Sequence, residues 1–218
     1  MDCPDELQRE FWLDHNEERT KDDTISLYDK WASQYDKVLS SKSQYHLISD
    51  YAASALEKYM TVPDAKVLDV ACGTGLTGLA LLKCGFTDID GLDPSNEMLL
   101  QAKKKSIYKK LMQGIITDTE VLDVPDNSYD AIIVVGAMSK DQLLPRNGFK
   151  EFFRIIKPGG YCVCTVADPR NAFGFMEIIG QGMKDSICQL ISIEERFYTY
   201  NVVKEINRTC LVCVLKML

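Results

Sequence analysis

The sequence predicts a single α/β domain built around a mostly parallel sheet, and three observations lead to this prediction. From Lys66 onward, short apolar runs alternate with segments of helical periodicity, which is the pattern of repeated β-α-β units. A glycine-rich turn with the spacing Gly73-x-Gly75-x-x-Gly78 joins the first run to the first helical segment. The last two apolar runs are separated by only a short turn, so they are expected to pair as antiparallel neighbours.

Each element of the sheet is predicted from its own pattern. Parallel strands are expected near residues 66–71, 88–93, 111–117, 130–136 and 160–167, with helices near 75–84, 95–105 and 147–156. The sequence KPGG, from Lys157 to Gly160, has Pro and Gly at the positions of a type II turn that leads into the fifth strand. A further helix near 172–190 precedes two C-terminal strands, at 195–206 and 208–218.

Two amphipathic helices are expected before the sheet. Apolar side chains recur at steps of three and four over residues 25–39, with Trp31 beside this stripe, and a second stripe covers about 44–60 before Pro63. Residues 1–23 are acidic and without pattern, as in a mobile tail. The expected organisation is a tail (1–23) and one domain (24–218), which comprises an N-terminal helical cap (24–60), a core (61–167) and a C-terminal helix with a strand hairpin (168–218).

Composition limits the classes of partner. The chain has 218 residues, 46% hydrophobic and 26% charged, which suits one globular domain rather than two. The formal net charge of −7 disfavours nucleic acid, because phosphate contacts need a basic surface, and the lysines at 103–105 and 109–110 are interpreted as solvated. No apolar run in the sequence reaches the roughly 18 residues of a membrane span, and the acidic N-terminus is unlike a secretory signal. A cytoplasmic, monomeric protein is therefore expected.

Eight cysteines raise the question of metal binding or disulfides. Cys210 and Cys213 form a C-x-x-C pair, but they lie three residues apart in a predicted strand and so face opposite sides. Cys162 and Cys164 share a strand face, yet no second pair or nearby histidine in the sequence completes a zinc site. Buried reduced thiols, and no metal, are therefore expected.

The glycine-rich turn alone does not identify a ligand, since it fits any group that approaches the backbone closely. In an open parallel sheet the ligand lies over the carboxyl ends of the strands, where the first three strands place Asp69, Asp93 and Asp118. Asp93 lies twenty residues after Gly73, at the distance from which a carboxylate accepts both ribose hydroxyls. It is equally suited to cap the following helix, with Pro94 at the first helical position.

The acidic residue before the turn separates two classes of cofactor. A dinucleotide would place its pyrophosphate at the turn, where Asp69 would repel it. S-adenosylmethionine carries no phosphate, and its ammonium group is one that Asp69 can hold directly or through water. The sulfonium cofactor is therefore favoured, and an NAD(P)-dependent oxidoreductase stays open as the alternative class.

Four ordered motifs strengthen this interpretation. VLDVACGTG, GLDPSNEML, PDNSYDAIIV and RIIKPGGYCV, over about residues 66–167, closely resemble those of class I S-adenosylmethionine-dependent methyltransferases. YDKWASQYDKVLS resembles the helix that precedes the core in many small methyltransferases, and VVGAMSKDQL resembles the Williams–Beuren-region methyltransferase-like protein 27 group. The resemblance implies a Rossmann-like class I methyltransferase sandwich, with a seven-stranded, mostly parallel sheet, an antiparallel last strand and helices on both faces.

The resemblance also implies roles for individual residues. The glycine turn would face the methionine end of the cofactor, and Asp93 would take the ribose hydroxyls. Met98 would pack on the adenine, and Gly136 would lie beside the transferred methyl group. The expected cofactor-binding residues are Asp69, Cys72, Gly73, Gly75, Asp93, Pro94, Met98, Asp118, Thr119, Val135, Gly136, Tyr28, Trp31 and Tyr35.

The sequence identifies no catalytic base. Methyl transfer from a sulfonium to give S-adenosylhomocysteine is an in-line displacement with a good leaving group, so positioning and exclusion of water are the protein's main contribution. The segments expected to line the acceptor site, 136–146, 168–180 and the helix carrying Tyr28, contain no histidine. Asp141 and Asp168 are candidate bases, although solvated loop carboxylates are the commoner case; Tyr198 and Tyr200 are interpreted as packing residues.

Missing motifs narrow the acceptor. The [DN]-P-P-[FYW] stretch associated with methylation of exocyclic base amines is replaced after the fourth strand by VVGAM. The carboxylate cluster of the metal-dependent catechol type cannot be assembled from the sequence either. A small-molecule acceptor is therefore expected. A protein acceptor stays open, as does a non-catalytic S-adenosylmethionine-binding protein of the same fold.

Overall fold

The sheet is the centre of the fold, as the alternating pattern predicts. The computed structural model describes residues 20–62, 64–116, 121–138, 148–166, 173–201 and 206–218. Within these residues the helices are α1 (Lys21–Trp31), α2 (Tyr35–Lys42), α3 (His46–Tyr59), α4 (Leu76–Lys83), α5 (Asn96–Lys104), α6 (Gly148–Ile155) and α7 (Phe173–Lys184). The strands are β1 (Lys66–Val70), β2 (Asp88–Asp93), β3 (Lys110–Gln113), β4 (Tyr129–Val134), β5 (Ile156–Val166), β6 (Cys188–Asn201) and β7 (Ile206–Met217).

The seven strands lie in the order β3-β2-β1-β4-β5-β7-β6. Strands β1 to β5 pair in parallel, and β7 runs antiparallel to both β5 and β6. The strand order reverses between β1 and β4, and a crevice opens at such a point above the carboxyl ends of the strands. The expected Rossmann-like sandwich with an antiparallel hairpin is therefore confirmed.

Both faces of the sheet are covered by apolar side chains, because successive strand residues point to opposite faces. Leu68 and Val70 pack on one face with Phe149 of α6 and Ile179 of α7. On the other face, Val67 packs with side chains of the two helices that cover it, namely Ile48, Ala52 and Leu56 of α3 and Ala80 and Leu81 of α4.

The N-terminal helical region differs from the prediction in two ways. The predicted helix over 25–39 is broken at residues 32–34 into α1 and α2. The prediction missed the break because the apolar stripe continues through it. The first helix also begins at Lys21, within the expected tail, because Thr20 caps it: its side chain accepts from the Asp23 N–H, and the Asp23 carboxylate accepts from the Thr20 N–H. The rest of the expected tail lies outside the described residues.

The C-terminal boundary also differs. The helix predicted over 172–190 ends at Lys184, and β6 begins at Cys188 rather than at 195. Ser186 takes a left-handed φ of 56°, which turns the chain, and the Cys188 end of β6 pairs with the Met217 end of β7. The fifth strand likewise begins at Ile156, before the KPGG turn, with a register irregularity against β4 and a φ of 80° at Gly159.

The outer edge of β6 is partly covered by the N-terminal region. The Tyr51 hydroxyl donates to the Phe197 carbonyl at 2.9 Å, and the Gln44 N–H donates to the Thr199 carbonyl at 2.7 Å. Capping edge carbonyls in this way blocks the pairing of another strand at that point. Among the described residues, none of the helices is both long and apolar enough to span a membrane.

Candidate functional site

The loop after β1 owes its shape to left-handed backbone. Three residues between β1 and α4 have positive φ angles, Ala71 at 56°, Gly73 at 52° and Gly75 at 93°. A Cβ at Gly73 would have open space, so this glycine is required for its backbone angle rather than for room. The loop brings its backbone to the reversal of strand order, where the sequence predicts close approach by a ligand.

Asp93, at the end of β2, ties two loops together. Its Oδ2 accepts from the Gly73 N–H at 2.8 Å, and its Oδ1 accepts from the Ser95 N–H at 2.9 Å. Burial raises the pKa of Asp93 to about 6, although the hydrogen bonds from the two backbone N–H groups lower this pKa. Each carboxylate oxygen therefore holds one backbone group and keeps acceptor capacity for another donor.

The alternative in which Asp93 caps the next helix is wrong. The N-cap of α5 is Ser95, whose hydroxyl accepts from the Met98 N–H at 3.1 Å. Pro94 precedes the cap, and the helix itself begins at Asn96. Asp93 instead makes a local turn with Ser95, and this leaves its carboxylate beside the glycine loop.

Asp69, on β1, is buried below this loop with 1% of its surface exposed. The Tyr108 hydroxyl donates to its Oδ2 at 2.7 Å, whereas its Oδ1 finds no hydrogen-bond donor among the described residues. The pKa of Asp69 is raised to about 7, mainly by burial and also by the charge of Asp93. The Tyr108 hydrogen bond and the Gly78 N–H act in the opposite direction and lower this pKa. A buried acceptor of this kind fits a ligand that carries a polar hydrogen or a positive charge.

The two N-terminal helices are joined to these loops by aspartates that sequence reasoning missed. Asp29 of α1 accepts from the Ser95 hydroxyl at 2.5 Å. Asp36 of α2 accepts from the Thr74 hydroxyl at 2.5 Å and from the Lys105 ammonium at 2.6 Å. The signal was present in the sequence, because YDK occurs twice with a spacing of seven residues, at Tyr28 and at Tyr35.

The three aromatic residues expected in the site form one cluster. Tyr28 meets Trp31 edge-on with ring centroids 6.0 Å apart, and Tyr35 at 6.3 Å. Burial raises the pKa of Tyr35 well above its ordinary value, and Tyr28, Tyr45, Asp93 and Asp36 raise it further. The structure therefore brings this cluster to the Asp93 end of the sheet.

Gly136, two residues after the end of β4, lies on the other side of β1 from Asp93. Its N–H donates to the Thr165 hydroxyl at 3.0 Å, and its φ is 72°. A Cβ at this position would lie 2.5 Å from the hydroxyl of Tyr45, a residue that the sequence did not indicate. Tyr45 packs edge-on against Tyr198, which is 3% exposed. Tyr198 therefore has packing contacts of the kind expected.

Some of the remaining expected residues lie in the part of the chain that the structure describes, and the others lie outside it. Cys72 and Met98 are buried, at 5% and 2% exposure, whereas Pro94 and Val135 are partly exposed. The predicted positions Asp118, Thr119, Asp141 and Asp168 lie outside the described residues. Tyr200 lies within β6.

The described cysteines are free thiols. Cys210 and Cys213 belong to the apolar clusters on opposite faces of the sheet, as their spacing predicts. Cys162 and Cys164 share one face, with their sulfur atoms 3.4 Å apart. In the part of the chain that the structure describes, no group of three or more His, Cys, Asp or Glu side chains is arranged to hold a metal ion.

Known proteins resemble the chain in sequence and in fold. Residues 67–160 match the family model described as a methyltransferase domain. Human methyltransferase-like protein 27 is 34% identical over 150 residues, covering 67% of this chain and 59% of that protein. Demethylmenaquinone methyltransferase of Bacillus licheniformis is 36% identical over 123 residues, covering 55% of this chain and 52% of that protein. The chain thus spans little more than half the length of these curated relatives.

The fold is shared more widely than the sequence. A solved structure of a SAM-dependent methyltransferase from Aquifex aeolicus has a TM-score of 0.61 and 18% identity, covering 86% of this chain and 98% of that one. At this identity the likeness concerns the fold alone. Together, the family match and the human relative show that residues 67–160 are a methyltransferase domain, and the seven-stranded sheet around them has the fold of solved S-adenosylmethionine-dependent methyltransferases.

Proposed function

We propose that the chain is an enzyme that binds S-adenosylmethionine above β1, β2 and β4 and transfers its methyl group to a small-molecule acceptor. The observation that carries the proposal is the pair of buried carboxylates, Asp69 and Asp93, at neighbouring parallel strands beside the left-handed glycine loop. Oδ1 of Asp69 is a buried acceptor with no donor among the described residues, and it suits the ammonium of the cofactor. A dinucleotide would place its pyrophosphate at the glycine loop, where the Asp69 carboxylate would repel it, so this alternative is disfavoured.

In this proposal each loop contributes one part of the cofactor site. Asp93 accepts the two ribose hydroxyls with the acceptor capacity that the Gly73 and Ser95 N–H groups leave. Met98, whose N–H is bonded to the helix cap, packs against the adenine. The backbone at Gly73 and Gly75 follows the methionine end, and the left-handed φ angles of both glycines give the loop its shape there.

The bound cofactor would supply a methyl group on a sulfonium, which is already activated for displacement. The chain's own residues then orient the reactants and exclude water. The aromatic cluster of Tyr28, Trp31 and Tyr35 lies at the cofactor end, and the Tyr45 hydroxyl lies against Gly136, where the acceptor would meet the methyl group. An acceptor that arrives deprotonated needs no general base. A protein carboxylate would be required to remove a proton only if the acceptor arrived protonated.

Two observations favour a small-molecule acceptor. The net charge of −7 opposes binding to nucleic acid, and several relatives carry the names of menaquinone or ubiquinone methyltransferases. The Tyr45 hydroxyl lies beside Gly136, and the Tyr45 ring packs edge-on against Tyr198. A flat or apolar acceptor fits aromatic rings of this kind.

The test is methyl transfer from isotope-labelled S-adenosylmethionine to a metabolite extract, with labelled products identified by mass. We expect one or a few labelled small molecules with the wild-type chain and a strongly reduced yield with Asp93→Asn. Asp88→Asn, at the other end of β2, is the matched control and should retain the yield. Cofactor binding without transfer to any extract component or protein would instead indicate a non-catalytic binding protein.

A further inference from the structure

One tyrosine outside the family motifs contacts the candidate cofactor site at its base. Tyr108 follows α5 and precedes β3, and its hydroxyl donates to Asp69 Oδ2 at 2.7 Å. The other oxygen of Asp69 has no donor among the described residues. We propose that Tyr108 is a positioning residue for cofactor binding: it fixes the Asp69 carboxylate through Oδ2 and leaves Oδ1 for the cofactor ammonium. This inference rests on the proposed function.

The ring of Tyr108 occupies space that three glycines leave open. A Cβ at Gly78 of α4 would lie 2.6 Å from Tyr108 Cζ, which is closer than real Cβ contacts. Cβ atoms at Gly75 and at Gly91 of β2 would each lie 3.1 Å from the same ring. The nearest neighbours of a Cβ at Gly78 are all atoms of the Tyr108 side chain. The third glycine of the motif therefore serves the tyrosine, and through it Asp69.

The charges around Asp69 make the role of the hydroxyl measurable. The groups that change the pKa of Asp69 are the Tyr108 hydroxyl, the Gly78 N–H and the Asp93 carboxylate. The charge of Asp69 in turn raises the pKa of Cys72, in the loop after β1. The pKa values of Tyr108 and Cys72 are raised well above their ordinary values by burial, so both stay neutral below pH 8. Asp69, with a pKa of about 7, and Asp93, with a pKa of about 6, are the groups of this set that titrate between pH 5 and 8.

The hydroxyl of Tyr108 favours the ionised form of Asp69, because it donates a hydrogen bond to the charge. Only ionised Asp69 attracts the cofactor ammonium, so cofactor affinity should fall as the pH drops below the pKa of Asp69. Removing the hydroxyl raises this pKa further and moves the midpoint of the pH profile upward. A tyrosine that only filled space would leave the midpoint unchanged.

The experiment is calorimetric titration with S-adenosylhomocysteine, which keeps the ammonium group, at intervals from pH 6 to pH 8. For Tyr108→Phe we expect roughly tenfold weaker binding at pH 7 and a midpoint about one pH unit higher than in the wild type. Tyr129→Phe is the matched control, because the Tyr129 hydroxyl likewise donates to a buried aspartate, Asp90, at 2.9 Å. This variant should keep the wild-type affinity and midpoint.

A second pair of variants tests the same contact without removing the hydroxyl. Gly78→Ala forces the ring of Tyr108 to move and should reproduce the weaker binding and the raised midpoint. Gly180→Ala, in α7, adds a Cβ with no neighbour within 4 Å and should leave both unchanged. This pair decides the question if Tyr108→Phe does not fold.

The outcomes separate the two proposals. If the wild-type chain binds no S-adenosylhomocysteine at any pH, the proposed function is wrong. If the wild type binds, but Tyr108→Phe or a folded Gly78→Ala keeps the wild-type affinity and midpoint, the role of Tyr108 is overturned while the proposed function stands. An equal shift in Tyr129→Phe would also overturn it, because the effect would not then come from Asp69.

Discussion

Among single residues, Asp93 is proposed to have two roles, since its carboxylate would hold both the glycine loop and the ribose of the cofactor. Its two oxygens already accept the Gly73 and Ser95 N–H groups, and the proposal adds two ribose hydroxyls. Asp93→Asn keeps an amide oxygen for one of the backbone donors but loses the charge, so we expect at least about tenfold weaker S-adenosylhomocysteine binding in calorimetry. Unchanged affinity in the folded variant, judged against Asp88→Asn, would reduce Asp93 to a loop-stabilising residue.

Asp69 gives a prediction about stability whose sign follows from its raised pKa. The folded-state pKa is about 7, above the value of about 4 in an unfolded chain, so the folded state binds the proton more tightly. Stability is therefore highest when Asp69 is protonated and falls as the pH rises between these two values. Burial of the charge at alkaline pH is a cost that the Tyr108 hydrogen bond only partly offsets.

Asp69→Asn removes this charge and keeps an oxygen that Tyr108 can bond. We expect the variant to be more stable than the wild type by on the order of 2 kcal/mol at pH 8, and by little at pH 4. Urea denaturation at the two pH values measures this difference. A variant that is less stable than the wild type at pH 8 would show that the ionised carboxylate already has a favourable partner in the free chain. Oδ1 would then not be available to bind a ligand.

At the scale of elements, α1 and α2 are the segment most clearly placed to act as a lid. They are joined to the sheet loops by the Asp29–Ser95 hydrogen bond and by Asp36 with Thr74 and Lys105. Polar, partly exposed contacts of this kind open more readily than an apolar core. By contrast, α3 lies over the sheet and is held there by fully buried side chains, Ile48, Ala52 and Leu56.

Hydrogen exchange tests the lid directly. We expect the amides of residues 21–42 to be poorly protected without ligand and strongly protected with S-adenosylhomocysteine, and those of β1 to be protected in both states. Asp36→Asn should speed exchange of 21–42 in the liganded state, whereas Asp50→Asn, which removes an exposed ion pair with Lys83, should not. Equal protection of 21–42 in the two ligand states would show that both helices are fixed structure.

For the whole molecule, the sheet could be predicted from the sequence because short strand-like segments alternate with segments of helical periodicity from Lys66 onward. The predicted strand 88–93 coincides with β2, and 66–71 differs from β1 by one residue. The left-handed glycines and the two acidic strand ends were predictable from motif spacing. The hairpin was predicted as an antiparallel pair, but β6 began earlier because the segment from Cys188 to Ile193 has no strict alternation.

What the sequence did not predict depends on contacts between distant residues. The break at 32–34 leaves the apolar period intact, so periodicity alone cannot reveal it. The pairs Tyr108–Asp69, Asp36–Lys105 and Asp29–Ser95 join residues separated by 39, 69 and 66 positions. Their polar side chains look like ordinary surface residues until the fold brings the partners together.

Thermal unfolding in the presence of each ligand distinguishes a crevice that binds the sulfonium cofactor from one that binds a dinucleotide. At a ligand concentration 100 times its Kd, binding stabilises the folded chain by roughly 2.7 kcal/mol, which for a domain of this size raises the Tm by about 5 to 10 °C. We expect this rise with S-adenosylmethionine and with S-adenosylhomocysteine, and none with NAD or NADP. A rise with NAD or NADP and none with the sulfonium cofactor and its product would show that the crevice is a dinucleotide site instead.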